Sequence, residues 1–113
     1  MAFTTATVAS VERGSKQFQG AFTDQWVANL TVNPASIAAG AADSATFTIP
    51  GVALGDVVMV APGVDLAATG ELFMSAYVSA ANTVTIRLSN VHASSAADLA
   101  SSTWKLWVGR PSW

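Results

Sequence analysis

His92 is the only histidine of the chain, and Ser94, Ser95 and Asp98 follow it within the next six positions. A general base, two hydroxyls and an orienting carboxylate are the residue types of nucleophilic acyl transfer. Such roles depend on spatial arrangement, and this stretch carries no nucleophile elbow or other catalytic signature. His92 therefore reads as a solvated loop residue. The carboxylates Glu12, Asp24, Asp43, Asp56, Asp65, Glu71 and Asp98 fall mostly at loops and strand ends. Two carboxyls flanking a sugar would make a glycosidase pair, yet no spacing selects which two, and these residues read as solvated turn positions. Asp56 or Asp65 with backbone carbonyls would offer oxygens to calcium, but their spacing is unlike an EF-hand loop. Gly51 and Gly55 sit between two expected strands rather than ahead of a helix, so they read as turn glycines, not as a phosphate loop. The expectation is a non-enzymatic protein with no catalytic residue, metal, cofactor or small-molecule substrate.

The composition narrows the classes further. The chain has 113 residues and no cysteine, which leaves room for one domain and excludes disulfides and thiolate metal sites. Net charge is −2, and the five basic residues Arg13, Lys16, Arg87, Lys105 and Arg110 are scattered, whereas nucleic-acid binding needs a clustered basic footprint. No run of 18 apolar residues exists to cross a membrane as a helix, and the first residues lack the pattern of a signal peptide. Hydrophobic residues make up 51% and charged residues 11% of the chain, against about 25% charged in ordinary globular domains. So little charge cannot dress a whole surface, and part of that surface is expected to lie against a neighbouring chain.

The elements that must carry these residues are strands. Apolar residues recur with a period of two: Trp26, Ala28, Leu30 and Val32 share one face, as do Ala45, Phe47 and Ile49, and Val84, Ile86 and Leu88. Asn33-Pro34, Pro50-Gly51 and Pro62-Gly63 end strands, and Ala80-Ala81-Asn82 reads as a hairpin connection. Strands are expected at about 4–11, 26–32, 44–49, 56–61, 72–79, 83–89 and 103–109, with at most a helical turn near Ala93 to Ala100. The fold class is all-β: a small antiparallel β-sandwich or jelly-roll-like barrel of about seven to eight strands. Residues 1–25 are expected as an N-terminal strand or extended arm and residues 26–113 as the β-sandwich domain. The stretch from Asp56 to Ala61 is apolar on both faces and reads as a strand covered on two sides.

Several aromatics fall outside the inward sets. If Leu72, Met74, Ala76 and Val78 point inward, Phe73 and Tyr77 project from the opposite face; if Trp104, Leu106 and Val108 do, Trp107 turns outward beside Lys105. Phe3, Phe18 and Phe22 would anchor an arm, and Trp113 would dock into a neighbour's pocket. Phe3, Phe18, Phe22, Phe73, Tyr77, Trp107 and Trp113 are thus the candidate protein-interface residues, because aromatics are enriched and charge depleted where chains meet.

The strings Asn33-Pro34-Ala35-Ser36-Ile37-Ala38-Ala39-Gly40-Ala41 and Ala45-Thr46-Phe47-Thr48-Ile49-Pro50-Gly51-Val52-Ala53-Leu54-Gly55-Asp56 resemble a small β-module of tailed-bacteriophage virion proteins. Tyr77 to Val91 and Ala100 to Val108 fit the same module, so the resemblance spans roughly residues 33–108. Such modules serve in capsid cement or decoration proteins, head fibres and tail fibres. The short chain favours a cement protein on the outer surface of a phage head, bridging capsomers, with the major capsid protein as partner. The resemblance further implies a homotrimer, a virion location, assembly in the host cytoplasm, and no catalytic residues. Its alternative is a receptor- or glycan-binding module of a head or tail fibre, with a patch around Phe73, Tyr77 and His92.

Overall fold

Alternating apolar and polar residues rich in Thr, Val and Ile favour a pleated, half-buried backbone. A computed structural model of the chain describes residues 5–14 and 21–113, with side chains from Ala21 onward. Its strands are β1 (Thr5–Gly14), β2 (Phe22–Asn33), β3 (Ala42–Thr48), β4 (Val57–Ala61), β5 (Leu72–Ala80), β6 (Thr83–Asn90) and β7 (Ser102–Pro111). No helix occurs among the described residues; in place of a turn of helix near Ala93 to Ala100, Ala97 forms an isolated β-bridge with Ile37. Of residues 1–25, expected as an N-terminal strand or arm, Thr5–Gly14 is β1, paired antiparallel along β2, and the stretch from Phe22 onward already belongs to β2. Phe3 and Phe18 lie outside the described residues.

All pairings are antiparallel and build two sheets, one in the order β1-β2-β7-β4 and the other β3-β6-β5. The inner faces are the ones the alternation marks. Trp26, Ala28, Leu30 and Val32 of β2 meet Trp104, Leu106 and Val108 of β7, facing Ala45 and Phe47 of β3 and Val84, Ile86 and Leu88 of β6 in one buried cluster. Burying each large aliphatic side chain of this set contributes about 1.5–3 kcal/mol. The hairpin expected at residues 80–82 forms: Asn82 adopts the left-handed region (φ 63°) after a register shift between Val78 and Ala80, a geometry Asn tolerates well.

That hairpin is fastened to the turn after β3. The Gly51 amide donates to Asn82 Oδ1 at 2.8 Å, and the Asn82 amide to the Val52 carbonyl at 2.9 Å. Gly51 itself has φ +100°, and a Cβ there would come within 3.3 Å of the Trp26 indole. Only glycine meets both conditions without strain.

β4 differs from expectation. It is an edge strand, not one covered on two sides: Val57 and Met59 are 38% and 62% exposed, while Val58 and Val60 pack toward the core. Two apolar faces in sequence do not distinguish a strand buried between layers from an edge strand whose outer face stays bare.

Candidate interaction surface

The outer face of the four-stranded sheet is built from cross-strand rows fixed by register. Val27 of β2 lies opposite Trp107 of β7, which lies opposite Met59 of β4. One step along, Asn29, Lys105 and Ala61 form the next row. Gly109 makes room for Trp107: a Cβ there would collide with the indole of Trp107 and with Phe22. The Trp107 ring therefore leans over Gly109, meets Phe22 edge-on at 5.2 Å between centroids, and donates from Nε1 to Gln25 Oε1 at 3.0 Å. Its tilt leaves an open groove of about 470 Å³, lined by side chains including Val27, Met59 and Trp107, with Lys105 on its rim. Lys105 Nζ donates to Asn29 Oδ1 at 2.6 Å. Among the described residues that line it, the groove is apolar on its floor and carries one cation, Lys105, at its edge. An open groove with such a floor has room for apolar groups.

The three-stranded sheet presents a different outer face. Phe73 and Tyr77 are 67% and 46% exposed, and Ser75 between them pairs with the exposed Arg87 of β6. Ser79 and Thr85 share a hydroxyl hydrogen bond at 2.6 Å on the same face. This face is mostly hydroxyl-bearing with two isolated rings, so it offers hydrogen bonds more than continuous apolar area.

Of the candidate interface residues, Phe22, Trp107 and Trp113 come together, with Phe22 and Trp113 ring centroids 5.8 Å apart and Trp113 still 82% exposed. Phe73 and Tyr77 belong to the other sheet. Val27 and Met59 were missed as surface candidates. The same alternation that turns Trp26 inward turns Val27 outward, but Met59 required the knowledge that β4 is an edge.

The carboxylates correct the sequence reading at two positions. Asp56 is not a solvated turn residue; its side chain is 4% exposed and ion-paired with Arg110. Arg110 Nε donates to Asp56 Oδ1 at 3.1 Å and its Nη2 to Oδ2 at 2.9 Å, while Nη2 also reaches the Gly51 carbonyl at 2.8 Å. The guanidinium lies 5.1 Å from the Trp26 ring centroid, and the Ala53 amide donates to Asp56 Oδ2 at 2.9 Å. The hydrogen bond that Arg110 donates to Asp56 holds the guanidinium above the usual arginine range; burial works against this, and the charges of Asp56 and Asp24 add to it. This two-pronged pair fastens the turn ahead of β4 to the end of β7. Asp43 is likewise buried, at 5% exposure, with Oδ1 accepting from the Ser44 amide at 2.8 Å.

The His92 ring is tied to the backbone of its own loop. Its Nδ1 accepts from the backbone amides of Ser94 and Ser95 at 3.1 and 2.9 Å, which places the proton of the neutral ring on Nε2. The loop hangs from the buried Asn90, whose Nδ2 donates to the carbonyls of Ile37 and Ser95 and whose Oδ1 accepts from the amides of Glu71 and His92. Among the described residues no three His, Cys, Asp or Glu side chains gather as a metal site.

No family model, no curated protein and no solved structure matches this chain.

Proposed function

We propose that the two sheets form a small antiparallel β-sandwich that works as a structural protein of a virion, cementing the outer surface of a phage head by bridging capsomers. The observation that carries this reading is the outer row Val27–Trp107–Met59, an exposed apolar groove on a chain with few charges to cover its surface. Exposed apolar area of this kind stabilises an assembly when a neighbour buries it. The resemblance of residues 33–108 to phage virion modules supplies the partner, the major capsid protein. Each copy needs roughly 1,000 Å² of contact to bind specifically, and repetition over a closed shell multiplies modest contacts. A shell that binds the protein only when intact is thereby harder to open.

A receptor- or glycan-binding role is the second reading. It is favoured by Phe73 and Tyr77 flanking Arg87 among hydroxyls on the other sheet. Co-sedimentation of the purified protein with capsids lacking it separates the two. Saturable binding at a fixed copy number, with a higher temperature of DNA release, is the expected result. Absence of binding to both expanded and unexpanded capsids overturns the cement reading and turns the search to cell-surface glycans.

A further inference from the structure

The four-stranded sheet ends on β4 and the three-stranded sheet on β5, and these two edges adjoin on one flank of the molecule. Val57–Ala61 contains no charge and no proline, and its register along β7 is free of bulges. Leu72–Ala80 is uncharged as well. Among the described residues, no strand pairs with the outer side of β4, and no turn or loop hydrogen bond involves its backbone. Proteins guard sheet edges with charge, proline, bulges or cover, because a bare edge templates pairing with another strand. The opposite flank has such guards: Glu12 and Arg13 in the sequence of β1, a register shift between Val8 and Ser10, and the inward-turned Asp43 on β3. β4 has only its shortness.

We propose that β4 pairs with β4 of a second copy, antiparallel about a two-fold axis beside Met59, so that the four-stranded sheet runs on from one copy into the other. A strand paired antiparallel with itself is self-complementary. Val57 then lies opposite Ala61, Val58 opposite Val60 and Met59 opposite Met59, with larger residues beside smaller ones at the ends and no like charges opposed. Opposed residues in such a pair point to the same face. Met59 of each copy therefore joins the two outer grooves across the axis, and Val58 and Val60 close over the inner side. The pairing consumes the edge in both copies and closes at two.

The chain has no cysteine, which makes the register directly testable. Sedimentation of the full chain is expected to give twice the chain mass at high concentration and dissociation on dilution. Met59→Lys, at an exposed site, is expected to raise the concentration for half-association at least tenfold with the circular dichroism spectrum unchanged. Opposed Cα atoms in an antiparallel pair lie about 4.5–5.5 Å apart, within disulfide range. Oxidation should therefore cross-link Met59→Cys into a dimer and leave Thr46→Cys, on β3, monomeric. A monomer at every concentration, a trimer mass, or unaltered association of Met59→Lys overturns the proposal. Association that persists without cross-linking of Met59→Cys overturns the axis at Met59. A monomer that still saturates capsids overturns the pairing alone and leaves the cement reading standing.

Discussion

On the flank where β1 adjoins β3, the edge strands carry Glu12 and Arg13 on one and the buried Asp43 on the other; on the flank of β4 and β5, neither edge strand carries a charge. Hydrophobicity does not separate the two flanks, since both contribute apolar side chains to one core. Placement of charge does. The β4 flank also carries an ion pair: Asp56 immediately precedes β4, and Arg110 near the end of β7 donates to both of its carboxylate oxygens. A strand left uncharged and uncovered on one side is thus anchored at its start by charges set just outside it. The edge stays neutral while the strand keeps its place.

Breaking that anchor should give the largest effect. Asp56→Ala leaves the guanidinium of Arg110 without its carboxylate and the Ala53 amide without its acceptor. Hydrogen bonds to charged groups contribute about 1.5–3 kcal/mol each, and the partial exposure of Arg110 lowers the sum. A loss of about 2–3 kcal/mol in urea unfolding is expected, and an unchanged midpoint would show the anchor to be idle. Gly109→Ala comes next, because the new methyl group displaces Trp107 from its seat beside Phe22 and Gln25. Overpacking of this kind costs about 1–3 kcal/mol. Tryptophan fluorescence should report the displaced ring, and the groove beside Met59 should change shape with it.

Asp43→Ala sharpens the comparison from the guarded side. Stability should fall by about 1 kcal/mol as the Ser44 amide loses its acceptor. The informative readout is sedimentation, where new higher-order species are expected as the β3 edge loses its inward charge. A species distribution identical to the parent chain would show that Asp43 does not guard that edge. The smallest effects are expected for Phe73→Ser and Tyr77→Ser, both exposed on the three-stranded sheet. Each should shift stability by less than about 0.5 kcal/mol. Loss of capsid binding in either variant would move the shell-facing surface from the Trp107 side to this one.

The strands were legible in the sequence because alternation is local. Trp26 to Val32, Ala45 to Ile49 and Val84 to Leu88 each reveal a period of two within a few residues, and the side chains marked inward are the buried ones. Pro and Gly pairs and the Ala80-Ala81-Asn82 connection marked where strands stop, for equally local reasons. Phe73 and Tyr77 were readable as outward-facing by the same count. The covered strand expected at Asp56 to Ala61 was the failure, and its cause is instructive. Two apolar faces in the sequence do not tell whether a second layer covers both of them, and here the face of Val57 and Met59 stays open to water.

The sequence by itself determined which segments are extended and which face of each is turned inward, since both follow from side-chain alternation along a pleated backbone. Only the tertiary structure decided the order β1-β2-β7-β4 and β3-β6-β5, and with it which strands are edges. It alone brought Arg110 to Asp56 across 54 positions and Trp107 to Gln25 across 82. Pairings at such separations are chosen by register and packing of the whole chain, where many strands with the same alternation compete for the same neighbour. A period of two is common to all of them and cannot say which will meet.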